Sequence, residues 1–202
     1  MLAANRLSCN VVEMGLLASF KRVSLSTLRD GFFPAVARAL ESHSVTELAA
    51  WLDLDVIATM GGTLGVGDRR IGILRKRTVT TFSVPEDWII DAFIKKAPGD
   101  AFEADKVLYY LRSSTRLLSK ADWTAWDALL DAGRNLPPCL KSSESHSLIL
   151  PAEIAGATRL VRAMAGALGE SDGDADDRAL LARLAAYLDA AAPDDAIIAS
   201  YG

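Results

Sequence analysis

Apolar residues recur at helical spacing along most of the chain, and serine, proline and glycine signals mark where the helices start and stop. Ser24 or Ser26 is placed to cap a short first helix, and Phe33-Pro34 opens a second that runs to Leu40. Ser44-Val45-Thr46-Glu47 has the spacing of a capping box, in which hydroxyl and carboxylate satisfy each other's orphan amides. The helix it starts extends to Met60 and stops at Gly61-Gly62, which can take the left-handed conformation. Ser83 and Glu86 repeat the box for a helix ending at Lys95-Lys96, where cations suit the dipole. After the turn Pro98-Gly99-Asp100, residues 101–118 read as a further helix, and Ser119 with Asp122 caps another that ends at Gly133. Pro151 opens a helix to Gly169, and residues 178–192 form an alanine- and leucine-rich amphipathic helix. Ile197, Ile198 and Tyr201 let the C-terminal residues dock on the body.

One stretch breaks this pattern. Residues 60–82 begin with glycines and continue into an extended run whose Ile71, Ile73, Thr78, Val79, Thr80 and Thr81 favour a strand. The expected fold is therefore mainly α: about six to eight helices in a single domain over residues 1–202, with a small β-hairpin or edge strand at 70–82. A mixed α+β fold follows only if the N-terminal segment is also a strand. The polar, proline-interrupted segment 134–150 is the best linker, and would join sub-units 1–133 and 151–202 if the chain divides.

Composition adds limits. At 202 residues and half apolar, the chain can bury a full core. Its net charge of −4 is at odds with wholesale coating of nucleic acid. Cys9 and Cys139 make no disulfide framework and fit a reducing compartment. Arg6 and Glu13 interrupt the apolar core a signal peptide needs, and no apolar run reaches the ~18 residues that span a bilayer. A cytoplasmic protein with no membrane partner is expected.

Against this acidic background the extended stretch carries Arg69, Arg70, Arg75, Lys76 and Arg77, with no acid between Asp68 and Glu86. In a strand, Arg77 shares a face with Ile71 and Val79, and Lys76 falls on the other; charge on both faces suits an edge or a hairpin arm. These five residues are the candidate partner-binding site, for an acidic protein surface first and for nucleic-acid phosphates second. A third outcome is internal: the C-terminal segment 170–202 holds eight acids against Arg178 and Arg183, enough to cover the basic strand.

The remaining motifs are weaker. Gly61, Gly62, Gly65 and Gly67 run helix–glycines–strand, the wrong order for a phosphate loop or a dinucleotide site. The run from Asp172 to Asp177 has Arg183 where a calcium loop needs a bidentate glutamate. Cys139, His146 and Glu144 can be drawn as a dyad with an orienting acid, yet their setting reads as an exposed loop. Asp127 and Asp131 share a helix face, as solvated acids commonly do, and Trp123 with Trp126 read as core. No catalytic, cofactor or metal residues are assigned. The expected function is a non-catalytic interaction or regulatory protein (adaptor, inhibitor, immunity-type or phage-structural), ahead of nucleic-acid binding through residues 69–77 and of an enzyme whose site is scattered in sequence.

Overall fold

Phe20 and Val23 lie three residues apart in one strand, point to opposite sides of a sheet, and each side carries its own hydrophobic core. The computed structural model describes residues 18–71, 77–104, 119–168 and 172–201. Along them run β1 (Ala18–Ser24), a π-helical stretch (Thr27–Phe32) leading directly into α1 (Phe33–Ser42), α2 (Thr46–Ala49), α3 (Leu54–Thr59), β2 (Val66–Ile71) and β3 (Arg77–Phe82). There follow α4 (Glu86–Lys96), β4 (Ala101–Ala104), α5 (Lys120–Leu129), β5 (His146–Ile149), α6 (Pro151–Ala167), α7 (Asp172–Asp189) and β6 (Asp195–Tyr201).

The main sheet is antiparallel, in the order β4-β1-β6-β5. The C-terminal strand β6 is interior: it pairs with β1 from Ala18↔Tyr201 to Ser24↔Asp195, and with β5 from His146↔Ser200 to Ile149↔Ile197. On one face Val23, Leu148, Ala196 and Ile198 meet Leu28, Phe32, Val36, Ile89, Ile90 and Phe93, with the Phe32 and Phe93 rings stacked at 3.9 Å. On the other, Ala18, Phe20, Ile149, Ile197 and Ala199 meet Trp126, Leu160, Val161, Met164, Leu181 and Leu188. Helices α1–α4 thus cover one face and α5–α7 the other.

A mainly α fold is therefore the wrong class, and the protein is α+β. The strands escaped the sequence pattern for physical reasons. In β6, Ala196, Ile197, Ile198 and Ala199 are all buried because both faces of the strand are covered, so no alternation survives. In β1, Arg22 stands where an apolar residue is expected. It is held there by Ala190 O (2.7 Å from Nη1), by Asp100 Oδ2 (2.5 Å from Nη2) and by the face of Tyr187, 4.6 Å away. Residues 101–104, assigned to a helix by their sequence, instead pair with β1 as β4, and residues 105–118 lie outside the described ones.

Other boundaries moved as well. Glu47 does not close a capping box, because Arg38 takes its carboxylate in a two-pronged ion pair. The helix expected over residues 44–60 accordingly splits into α2 and α3, and α3 restarts at Asp53, whose side chain accepts from Asp55 N–H at 3.2 Å. Gly61 does end α3 with φ +83°, as expected of a left-handed cap. Helix α5 starts at Ser119, as its sequence indicates, but ends at Leu129, short of Gly133. Residues 134–150, connector-like in sequence, bury Leu136 and Leu140 and contribute β5 to the sheet.

Candidate functional site

Strands β2 and β3 form a separate two-stranded hairpin with register from Val66↔Phe82 to Ile71↔Arg77. Its base is anchored, because Phe82 is buried and Val66 packs against the core of the α1–α4 layer. Farther out, every residue of β2 from Gly67 to Ile71 is exposed.

Alternation sorts the side chains. The inner face carries Val66, Asp68, Arg70, Thr78, Thr80 and Phe82, and the outer face carries Arg69, Ile71, Arg77, Val79 and Thr81. Asp68 Oδ1 accepts from Thr80 Oγ1 at 2.9 Å and lies 3.1 Å from His43 Nε2 at the end of α1. Those bonds, from His43 first and Thr80 second, hold the Asp68 carboxyl below its ordinary value against a smaller opposing effect of desolvation. They also tie the hairpin to the body.

On the outer face Arg69 stands opposite Val79 and Ile71 opposite Arg77. The two arginines are therefore diagonal neighbours, with backbones about 7–8 Å apart, flanking an apolar diagonal in which Ile71 is 45 % exposed. Arg69, Arg70 and Arg77 are exposed and make no ion pair among the described residues. Arg75 and Lys76, the other two members of the sequence-derived site, fall in residues 72–76, outside the described ones.

Among the described residues, the acidic C-terminal helix packs away from this face. Helix α7 belongs to the layer on the far side of the main sheet, and the hairpin base belongs to the near layer. Several acids of the C-terminal segment are engaged elsewhere: Asp189 with Arg162, Asp194 with the Ser24 and Ser26 hydroxyls, and Asp195 with the N–H of Ala192.

A second polar cluster lies between α4 and β5. His146 is 1 % exposed, with Nδ1 3.0 Å from Asp87 Oδ1 and Nε2 3.0 Å from Asp91 Oδ1. Ser143 Oγ donates to Asp87 Oδ1 at 2.6 Å and lies 3.1 Å from the same ring nitrogen; the N–H groups of Glu144 and Ser145 also donate to Asp87. Burial on its own would raise the Asp87 carboxyl, but these bonds outweigh it and hold the group below its ordinary value. Serine, histidine and aspartate are all present, yet Ser143 is buried and its proton points to the carboxylate, so the cluster serves to pin α4 to the 143–146 loop. The signal for it was available: Asp87 and Asp91 are i, i+4 neighbours on one helix face, the spacing noted for Asp127 and Asp131, which are simply exposed.

The other sequence candidates separate. His146 faces Asp87 and Asp91, so the drawn Cys139–His146 pair does not form. Burial pushes the half-buried Cys139 thiol up, away from the thiolate a nucleophile needs. Trp126 is core, as expected. Among the described residues no group of three or more histidine, cysteine, aspartate or glutamate side chains is arranged to hold a metal ion, and no helix is long and apolar enough to cross a membrane. No protein-family model matches the chain, nor does any curated protein or solved structure.

Proposed function

We propose that this is a non-catalytic binding protein whose β2–β3 hairpin contacts an acidic surface on a protein partner. The observation that carries this reading is the outer face of the hairpin, where Arg69 and Arg77, which make no ion pair among the described residues, flank the exposed Ile71 and the partly covered Val79. Charge at the rim steers encounter and selects sign, while the apolar diagonal supplies area to bury, the usual division of labour in a protein interface. The same composition favours protein over nucleic acid. The outer face has no aromatic residue on which a base stacks, and its centre is apolar where phosphates would lie. The most catalysis-like cluster, Ser143 with His146 and Asp87, is spent on internal hydrogen bonds.

The test is affinity capture from source cells with the wild-type protein and with Arg69→Glu/Arg77→Glu, followed by reconstitution with the purified captured protein. One protein should be retained by wild type, released by salt and lost on charge reversal, while the melting temperature is unchanged. Undiminished binding by the double variant overturns the proposal. A salt-sensitive shift of a nucleic-acid probe, lost in the same variant, transfers the surface to phosphate binding.

A further inference from the structure

Resting on the reading of the hairpin as a partner surface, we propose that the partner enters as an extended acidic peptide segment that adds a third strand along the outer edge of β2. Among the described residues β2 pairs with β3 alone, so the backbone groups on its other side have no strand partner. A two-stranded ribbon is marginal in water by itself, and the β2 arm of this one, beyond the Val66–Phe82 base, is tied to the body among the described residues through the Asp68 contact with His43. A third strand would complete the backbone pairing there, in the mode by which sheet edges capture extended peptides.

The placement of charge chooses both the edge and the occupant. Arg69 and Arg70 are consecutive, so they project from opposite faces of β2. A surface laid on the outer face reaches Arg69 and Arg77 but not Arg70. A strand lying along the β2 edge has its own side chains on both faces and reaches Arg69 and Arg70 together. β3 is the poorer edge: it packs against α1, and Val79, Thr80 and Thr81 are partly covered. The one acid of β2, Asp68, is already turned inward to His43 and Thr80. Arginines on an edge commonly repel unwanted strands, and here they would reject basic strands while admitting one that carries carboxylates at successive positions.

The probe is a blocked peptide, Thr-Val-Thr-Glu-Glu-Val-Thr-Val, titrated against the full-length protein, together with two versions N-methylated at alternate amides in the two possible sets. In an added strand only every second amide faces β2. One methylated set should therefore lose at least about tenfold in affinity and the other should bind as the parent does. Arg69→Glu/Arg70→Glu should weaken the parent peptide by about tenfold or more. Equal binding by all three peptides, no saturable binding of the parent, or undiminished binding by the double variant each overturns strand addition. None of those results touches the capture experiment with Arg69→Glu/Arg77→Glu, so the broader reading of the basic surface stands or falls separately.

Discussion

His146 and Asp87 link β5 to the first turn of α4 through a 3.0 Å contact made in the interior, and Asp91 takes the other ring nitrogen at the same distance. A ring with both nitrogens turned to carboxylates and 1 % of its surface exposed gives up its water only because each nitrogen has a protein partner. Removing the ring leaves Asp87 partly buried without it and opens a void against α4. His146→Ala should cost about 3 kcal/mol. In a chain of this size that is a fall of roughly 6–12 °C in melting temperature. A drop under about 2 °C would show that the contact does not pin the helix.

The two aspartates should not be equivalent. Asp87 also accepts from Ser143 Oγ and from the N–H groups of Glu144 and Ser145, whereas Asp91 is the more exposed of the pair. Asp87→Asn should therefore lower the urea midpoint more than Asp91→Asn does. Equal effects would locate the stabilisation in the imidazole alone.

Asp87 also sets an acid dependence. Its folded-state carboxyl lies below the ordinary aspartate value of 3.8, despite burial, because Ser143, His146 and two backbone amides bond to the charged form. The unfolded chain then takes up the proton first as pH falls. The contribution of Asp87 is thus complete well above that ordinary value and is lost as pH drops below it. Glu153, held down by Arg134, and Asp194, held down by Ser24 and Ser26, act in the same window. The difference between wild type and Asp87→Asn isolates the Asp87 share: it should shrink between about pH 5 and pH 2. A difference that stays constant over that range would remove the charge from the explanation.

Gly133 shows how the 143–146 loop is held from its other side. It has φ +75°, its N–H donates to His146 O at 2.8 Å, and a Cβ built on it would lie 2.4 Å from Lys141 O. Both the backbone conformation and the space exclude a side chain. Gly133→Ala should cost about 1–3 kcal/mol, measured by thermal melting. It should also loosen the His146 amide region in hydrogen exchange. A neutral substitution would mean that the loop relaxes freely around Lys141.

Much of the helical scaffold is legible in the sequence wherever a local chemical signal acts locally. Ser119 does accept from the Asp122 N–H, Gly61 does terminate a helix, and α4 spans the segment bracketed by Pro85 and Lys96. The sequence misleads where a tertiary partner takes the group that the local motif needs. Arg38 claims Glu47, and Thr63 O receives the Ser83 hydroxyl at 2.6 Å in place of a cap. The sheet is hardest to read because its pairing is non-local: β1 pairs with β6, far along the chain, and two-sided burial removes the alternation from β6. Of the candidate site, the shared face of Arg77, Ile71 and Val79 is readable from strand period alone. That the acidic C-terminal helix lies across the sheet from it is not, because layer assignment depends on the order β4-β1-β6-β5.

The hairpin should behave as two energetic zones. At its base Phe82 is buried in the core shared with α1 and α4, and truncation to alanine removes both transfer free energy and packing, about 3–5 kcal/mol. In its outer half Arg69, Arg70 and Arg77 are exposed and unpaired among the described residues, so charge reversal there should change stability by no more than about 0.5 kcal/mol. Thermal melting of Phe82→Ala beside Arg69→Glu/Arg77→Glu measures both. A large loss in Phe82→Ala with an unchanged double variant separates the anchor from the contact surface, and makes the arginine variant a clean reagent for binding assays. If the double variant instead melts several degrees lower, the arginines serve the fold, and the outer face of β2 and β3 is not free to receive a partner.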